Sequence, residues 1–138
     1  MVNHYKIYTD GAYSSSRNQG GCAFIILKDD EVVVKYSKMF INCTNNQMEM
    51  LAVIIALESI TPPSKIEIVS DSMYVIGCCS KGWKRKKNVK LWERYDLASS
   101  KHDVVFTHVK GHEGDYYNEL CDDLAVDASQ EYLNLKKK

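Results

Sequence analysis

The sequence has no net charge, no long apolar run, no paired cysteine motif and no internal repeat, and each absence closes off a class of protein. Eighteen Lys and Arg balance eighteen Asp and Glu, so no overall basic field gathers a nucleic acid. No uninterrupted apolar stretch approaches the roughly 20 residues that cross a bilayer, and Met1-Val-Asn-His-Tyr-Lys lacks the apolar core and cleavage site of a secretory signal. A cytoplasmic protein with no membrane partner is therefore expected. The five cysteines include the adjacent pair Cys78 and Cys79 but no Cys-x-x-Cys, which argues against a disulfide scaffold or thiolate zinc site and for a reducing compartment. At 138 residues, 45% hydrophobic and 26% charged, the chain is expected to form one globular domain, residues 1–138, with a frayed Lys136–Lys138 tail. Nothing in it demands more than a monomer.

Charge is present but segregated. Lys81, Lys84, Arg85, Lys86, Lys87 and Lys90 lie together without an acid, and seven acids fall between Glu113 and Glu131 with no Lys or Arg. A neutral protein with such segments can bind a polyanion locally, although two solvated surface stretches would look the same.

Tyr5-Lys-Ile-Tyr-Thr predicts a first strand, followed by a loop from Gly11 to Gly20. Gly21–Lys28 and Glu31–Phe40 are joined by Asp29-Asp30, the pattern of an antiparallel hairpin. Thr44-Asn-Asn-Gln starts a helix, with Met48, Leu51, Ala52 and Ile55 at helical spacing, and Thr61-Pro-Pro-Ser stops it. Lys65–Ser70 is a fourth strand, Asp71-Ser opens a second helix, and Asn88 is a candidate cap for a third containing Leu91, Trp92, Tyr95, Leu97 and Ala98. A fifth strand runs through Asp103–Val109, and Asp115 caps a last helix with Tyr117, Cys121, Leu124 and Ala128 on its buried stripe. The order β-β-β-α-β-α-α-β-α predicts an α/β fold, a five-stranded mixed sheet with helices on both faces.

On this scheme Asp10 ends the first strand and Asp71 the fourth. If those strands are parallel neighbours, both carboxylates sit beyond the carboxyl ends of the sheet, where open α/β folds place their sites. Glu49 lies in the first turns of the first helix, and Asp122 in the last, on one side with Asn118. Singly, Asp71 reads as an N-cap, Asp10 as a turn residue, Glu49 as compensation of a helix dipole and Asp122 as a solvated helix acid. Those readings do not explain four carboxylates that one fold could bring to one place. Crowded carboxylates raise one another's pKa and need a cation, and an all-oxygen set suits Mg²⁺ or Mn²⁺. Two such ions could activate water and stabilise a leaving oxygen in phosphodiester cleavage.

The segments Thr9-Asp10-Gly11-Ala12, Thr44-Asn45-Asn46-Gln47-Met48-Glu49, Ser70-Asp71-Ser72-Met73-Tyr74-Val75, Val109-Lys110-Gly111-His112-Glu113-Gly114 and Asn118–Ala125 occur in this order. Together they resemble type 1 ribonuclease H from about Tyr5 to Ala128. The resemblance implies a ribonuclease H-like fold and an endonuclease that cuts the RNA strand of an RNA–DNA hybrid with two Mg²⁺ ions (Mn²⁺ substituting), leaving 5′-phosphate and 3′-hydroxyl ends. It implies that Asp10, Glu49, Asp71 and Asp122 bind the metals and that His112 serves proton transfer or product release from a pliable loop. It assigns Asn45 and Asn46 to the hybrid's minor groove, Thr44 and Asn88 to a DNA phosphate, and Trp83 to the DNA sugars; Trp92 is expected in the core.

There are departures. The basic helix that many bacterial members carry after the second helix has no room between Gly77 and Asn88, so this is a short form in which Lys84, Lys86 and Lys87, with Arg85, partly replace it. Asn42 stands where some members have a phosphate-binding arginine, and Met73 where many have glutamine. The first strand begins almost at Met1, so no hybrid-binding module is expected ahead of it. A related DNA nuclease would share the acids but not Asn45-Asn46 or Lys110-Gly111-His112. A non-catalytic binding module would be expected to have lost an acid.

Overall fold

The computed structural model of the chain describes residues 2–110 and 115–136, with side chains through Glu131. His112 and its flanking glycines lie outside the described residues, as does all of the Lys136–Lys138 tail except the backbone of Lys136. The elements are β1 (Asn3–Ser14), β2 (Gln19–Lys28), β3 (Glu31–Ile41), α1 (Asn45–Glu58), β4 (Ser64–Ser70), α2 (Met73–Ser80), α3 (Val89–Ser99), β5 (Asp103–His108) and α4 (Tyr116–Lys136). The strands form one sheet in the order β3-β2-β1-β4-β5. The first three are antiparallel, whereas β4 runs parallel to β1 and β5 parallel to β4. This is the expected mixed sheet.

β2 is buried along nearly its whole length because helices cover both faces. On one face Ile7, Phe24, Ile26, Ile66 and Ile68 pack with α1, α2 and α3. On the other, Tyr8, Ala23, Ile25 and Val69 meet Cys121 and Ala125 of α4. All five cysteines are free thiols, and burial pushes the Cys22 thiol up to about 12, so they serve as small core residues. Among the described residues no helix is long and apolar enough to cross a membrane.

Local chemistry explains the boundaries. Thr44 and Gln47 form a reciprocal capping box at the start of α1. Asp115 accepts from the Tyr117 and Asn118 amides to cap α4, as expected. Asp29 and Asp30 both have positive φ, 53° and 64°, the two-residue turn whose twist matches a hairpin.

Four expectations are corrected. The loop expected from Gly11 to Gly20 shrinks to a turn over residues 15–18, since β1 stays paired with β2 as far as Ser14↔Gln19 and Gly11 lies against α1 rather than in a turn. Ser72, not Asp71, caps α2, its hydroxyl accepting from the Val75 amide at 3.2 Å. Asn88 stands at the N-cap of α3 with φ 60° and makes no side-chain cap bond. Leu97 is 78% exposed and belongs to no core, since only Trp92, Tyr95 and Ala98 of α3 are buried.

A candidate metal centre and the surface beside it

Three of the four acids converge. β1 and β4 run parallel in register through Tyr8↔Val69, and Asp10 and Asp71 each lie two residues further on. β4 stops at Ser70, while β1 continues beside β2 with Asp10 opposite Ala23. Asp10 therefore sits inside a strand, not at its end, at the point where that strand loses its parallel neighbour. Because Ser72 does the capping, the Asp71 carboxylate is free to face the gap. Glu49 arrives from α1 because residue 11 is glycine: a Cβ there would stand 2.5 Å from the Glu49 amide nitrogen and 2.7 Å from the Met48 carbonyl carbon. Asp-Gly thus marks a close helix–strand approach rather than a turn. One carboxylate oxygen from each of Asp10, Glu49 and Asp71 lies within 4.8 Å of the others.

These acids are buried without countercharge. Asp10 is 3% and Glu49 7% exposed. Burial, and then the charge of Asp71, raises the Asp10 pKa to about 7; the neighbouring Glu49 carboxyl and then the Gly11 amide, donating to Asp10 Oδ1 at 2.8 Å, oppose this, and Asp122 adds to it. Burial, with the charges of Asp10 and Asp71, also holds Glu49 well above the ordinary glutamate range. Asp10 Oδ2 is buried and accepts no hydrogen bond, a state that ordinarily costs about 1–3 kcal/mol, and more for a charged group. Among the described residues, no lysine or arginine stands among the causes of either shift. An all-oxygen set in which one member carries an unpartnered oxygen is the donor set of a hard divalent cation. Asp122, half-buried on α4, is outside the 4.8 Å group but near enough for its charge to act on Asp10 and Cys121. Asn118, one turn before it, is buried with an unpartnered Oδ1.

The other expected site residues form a surface beside α1. Thr44, Asn45 and Asn46 are exposed at its first turn. Asn88 is tied to that turn: Gln47 Nε2 donates to Asn88 Oδ1 at 3.2 Å, and Asn88 Nδ2 donates to the Tyr74 hydroxyl at 3.2 Å. The Trp92 indole N–H donates to the same hydroxyl at 3.3 Å. The Thr44 amide can only donate, so Gln47 must turn Oε1 toward it and Nε2 toward Asn88, which in turn presents Oδ1 to Gln47 and Nδ2 to the Tyr74 hydroxyl. Gln47 and Tyr74 received no role from sequence; the Thr-x-x-Gln spacing was a readable signal for the first, and nothing local announces the second. Trp92 is core, as expected. Asn42 is engaged with Asn18, whose amide donates to its Oδ1 at 2.8 Å. Lys84, Lys86 and Lys87 are exposed, and Trp83 is 46% exposed, in a segment with no helix between α2 and α3.

The RNase H family model matches residues 2–130. A ribonuclease H of Rhodopirellula baltica is 42% identical over 149 aligned positions, covering 93% of this chain and 92% of that one. One of Pseudoalteromonas translucida is 44% identical, covering 94% and 92%. The crystal structure of LC9-RNase H1, a type 1 RNase H with the type 2 active-site motif, superposes with a TM-score of 0.82 at 26% identity, covering 95% of this chain and 74% of that one. RNase H1 from the halophilic archaeon Halobacterium salinarum gives 0.80 at 25%, covering 93% and 98%.

Proposed function

The chain belongs to the RNase H family, nucleases that cleave RNA within RNA–DNA hybrids, and we propose that it makes this cut at Asp10, Glu49, Asp71 and Asp122. The observation that carries the assignment is the trio of carboxylate oxygens within 4.8 Å, together with an Asp10 Oδ2 that is buried without a partner among the described residues. On this reading the four acids hold two divalent cations, Mg²⁺ or with substitution Mn²⁺, and the products carry 5′-phosphate and 3′-hydroxyl ends. Bound there, the cations would supply the positive charge that activates a water and stabilises the leaving oxygen. Asp10 and Asp71 fix the centre from adjacent parallel strands, Glu49 closes it from α1, and Asp122 approaches from the opposite face of the sheet. His112 is assigned to proton transfer or product release.

Asn45 and Asn46, exposed next to Glu49, both donate and accept, which suits the 2′-hydroxyls and base edges of a hybrid minor groove. Thr44 and Asn88 offer donors to a phosphate of the DNA strand, and Trp83, Lys84, Lys86 and Lys87 extend that contact along its backbone. Binding should be salt-sensitive, because phosphate neutralisation dominates such interfaces.

The test offers a labelled hybrid, a double-stranded RNA and a DNA duplex of the same sequence to the protein with Mg²⁺ and with chelator. Cutting of the hybrid's RNA strand alone, and only with metal, supports the reading. Cutting of the DNA duplex, or cutting in chelator, overturns it.

A further inference from the structure

The segment between α2 and α3 contains four consecutive cations, Lys84 to Lys87, and one of them is turned away from solvent. Lys84, Lys86 and Lys87 are exposed, whereas Arg85 is half-buried. Arg85 Nε donates to the Cys78 carbonyl at 3.3 Å, and Nη1 donates to both oxygens of Asp96 at 2.8 and 2.9 Å. The guanidinium lies over the Trp92 ring at 4.7 Å and over the Tyr95 ring at 5.7 Å. Its side chain keeps 29% of its surface exposed, but these contacts tie the guanidinium to α2 and α3, and its charge is matched by Asp96. The segment therefore presents three free cations, not four.

Two neighbouring residues are fastened too, although Trp83 keeps 46% of its surface exposed. The Trp83 amide donates to the Gly77 carbonyl at 3.1 Å, and its indole lies so close to Gly77 that any Cβ there would overlap the ring. Asn88 is held by Gln47 and Tyr74. Positions 83, 85 and 88 thus bind the segment to the protein while 84, 86 and 87 project outward. A stretch without regular secondary structure would otherwise lose much of its binding free energy to the ordering of chain and lysines on contact. Of the three fastenings, Arg85 is the one centred among the lysines.

We propose that Arg85 is a positioning residue for substrate binding: it touches no phosphate, and it holds Lys84, Lys86 and Lys87 in a fixed row facing the hybrid's backbone. This rests on the reading that the segment faces the hybrid. Lysine cannot replace it, because one ammonium cannot reach both Asp96 and the Cys78 carbonyl from two separate nitrogens while lying over the Trp92 ring.

The test measures KM and kcat on a labelled hybrid in Mg²⁺ across a KCl series, for the wild type, Arg85→Ala, Arg85→Lys and the single alanine variants of Lys84, Lys86 and Lys87. Both Arg85 variants should raise KM by about five- to tenfold at low salt, with kcat retained and the dependence of log KM on log[KCl] unchanged in slope. Each lysine variant should reduce that slope by about one. An Arg85→Ala protein with wild-type KM overturns the proposal. So does one whose slope falls by about one, since Arg85 would then itself meet a phosphate. If Arg85→Ala fails to fold, Asp96→Asn removes the partner instead and should raise KM with the same unchanged slope; wild-type KM in that variant overturns the proposal. Lysine variants with wild-type KM and slope would overturn the underlying reading, an outcome distinct from failure at Arg85 alone.

Discussion

Two clusters of polar side chains flank α1, and they are built in opposite ways. In the network of Gln47, Asn88, Tyr74 and Trp92, donors and acceptors are matched and the amide orientations follow from the Thr44 amide, which can only donate. In the cluster of Asp10, Glu49 and Asp71, like charges crowd together, a buried oxygen goes unpartnered, and the pKa of Asp10 stands near 7. Matched polarity stabilises a structure; unmatched polarity is kept at its expense and is open to a cation. The contrast separates the groups that hold the surface beside α1 in place from those open to a cation.

The largest expected effect breaks the unmatched cluster. Asp10→Asn or Asp71→Asn should reduce cleavage of the hybrid by well over the roughly 10–100-fold that losing a partner outside a ligand set costs. The metal-free Asp10→Asn protein should nevertheless be more stable than the metal-free wild type at pH 8. Its acid is raised from 3.8 to about 7, so ionising it in the fold costs up to about 4 kcal/mol. Urea denaturation in chelator measures this, and a destabilised Asp10→Asn protein would show that the charges there are not in conflict. The matched network should respond the other way. Tyr74→Phe leaves the Trp92 and Asn88 donors without their acceptor and should cost about 1–3 kcal/mol, with kcat within a few-fold of wild type and the loss visible in the urea midpoint.

The pH dependence sharpens the same contrast with opposite signs. The folded pKa of Asp10 is raised, so in metal-free protein its contribution is fully present below about 4 and is lost as pH rises through about 7. His102 behaves inversely. Its Nδ1 accepts the Ser64 amide at 3.1 Å and its Nε2 lies 3.0 Å from the Ile60 carbonyl, which fixes the neutral Nε2–H form, and burial lowers its pKa below 6.5. Stability from His102 is therefore present above pH 6.5 and falls as pH drops below it. Urea midpoints taken from pH 5 to 8 should lose the alkaline decline in Asp10→Asn and the acid decline in His102→Gln. The smallest effect is expected at Asp30, held at φ 64° far from both clusters. Asp30→Gly should stabilise by less than about 1 kcal/mol, leaving hybrid cleavage unchanged.

Much of the fold was legible because its signals are local. The hairpin through Asp29-Asp30, the box at Thr44-Asn-Asn-Gln, the stop at Thr61-Pro-Pro-Ser and the cap at Asp115 each declare themselves within four residues. The placement of Asp10 beside Asp71 followed from strand order alone. What was misread depended on partners distant in sequence. Gly11 resembles a turn residue until α1 is seen packed on it, and Asp71-Ser72 offers two equivalent caps of which only the fold chooses one. Asn88 resembles a cap until Gln47 and Tyr74 claim its amide. Arg85 resembles its three lysine neighbours until Asp96, eleven residues on, meets its guanidinium. Leu97 fits a helical apolar spacing yet faces solvent because the edge of α3 has nothing packed against it.

Calorimetric titration of Mn²⁺ into the wild type and into Asp10→Asn at matched pH tests the central claim most directly. Saturable binding by the wild type that disappears in the variant is the predicted result. Equal binding by the two proteins, or none by the wild type, would contradict it.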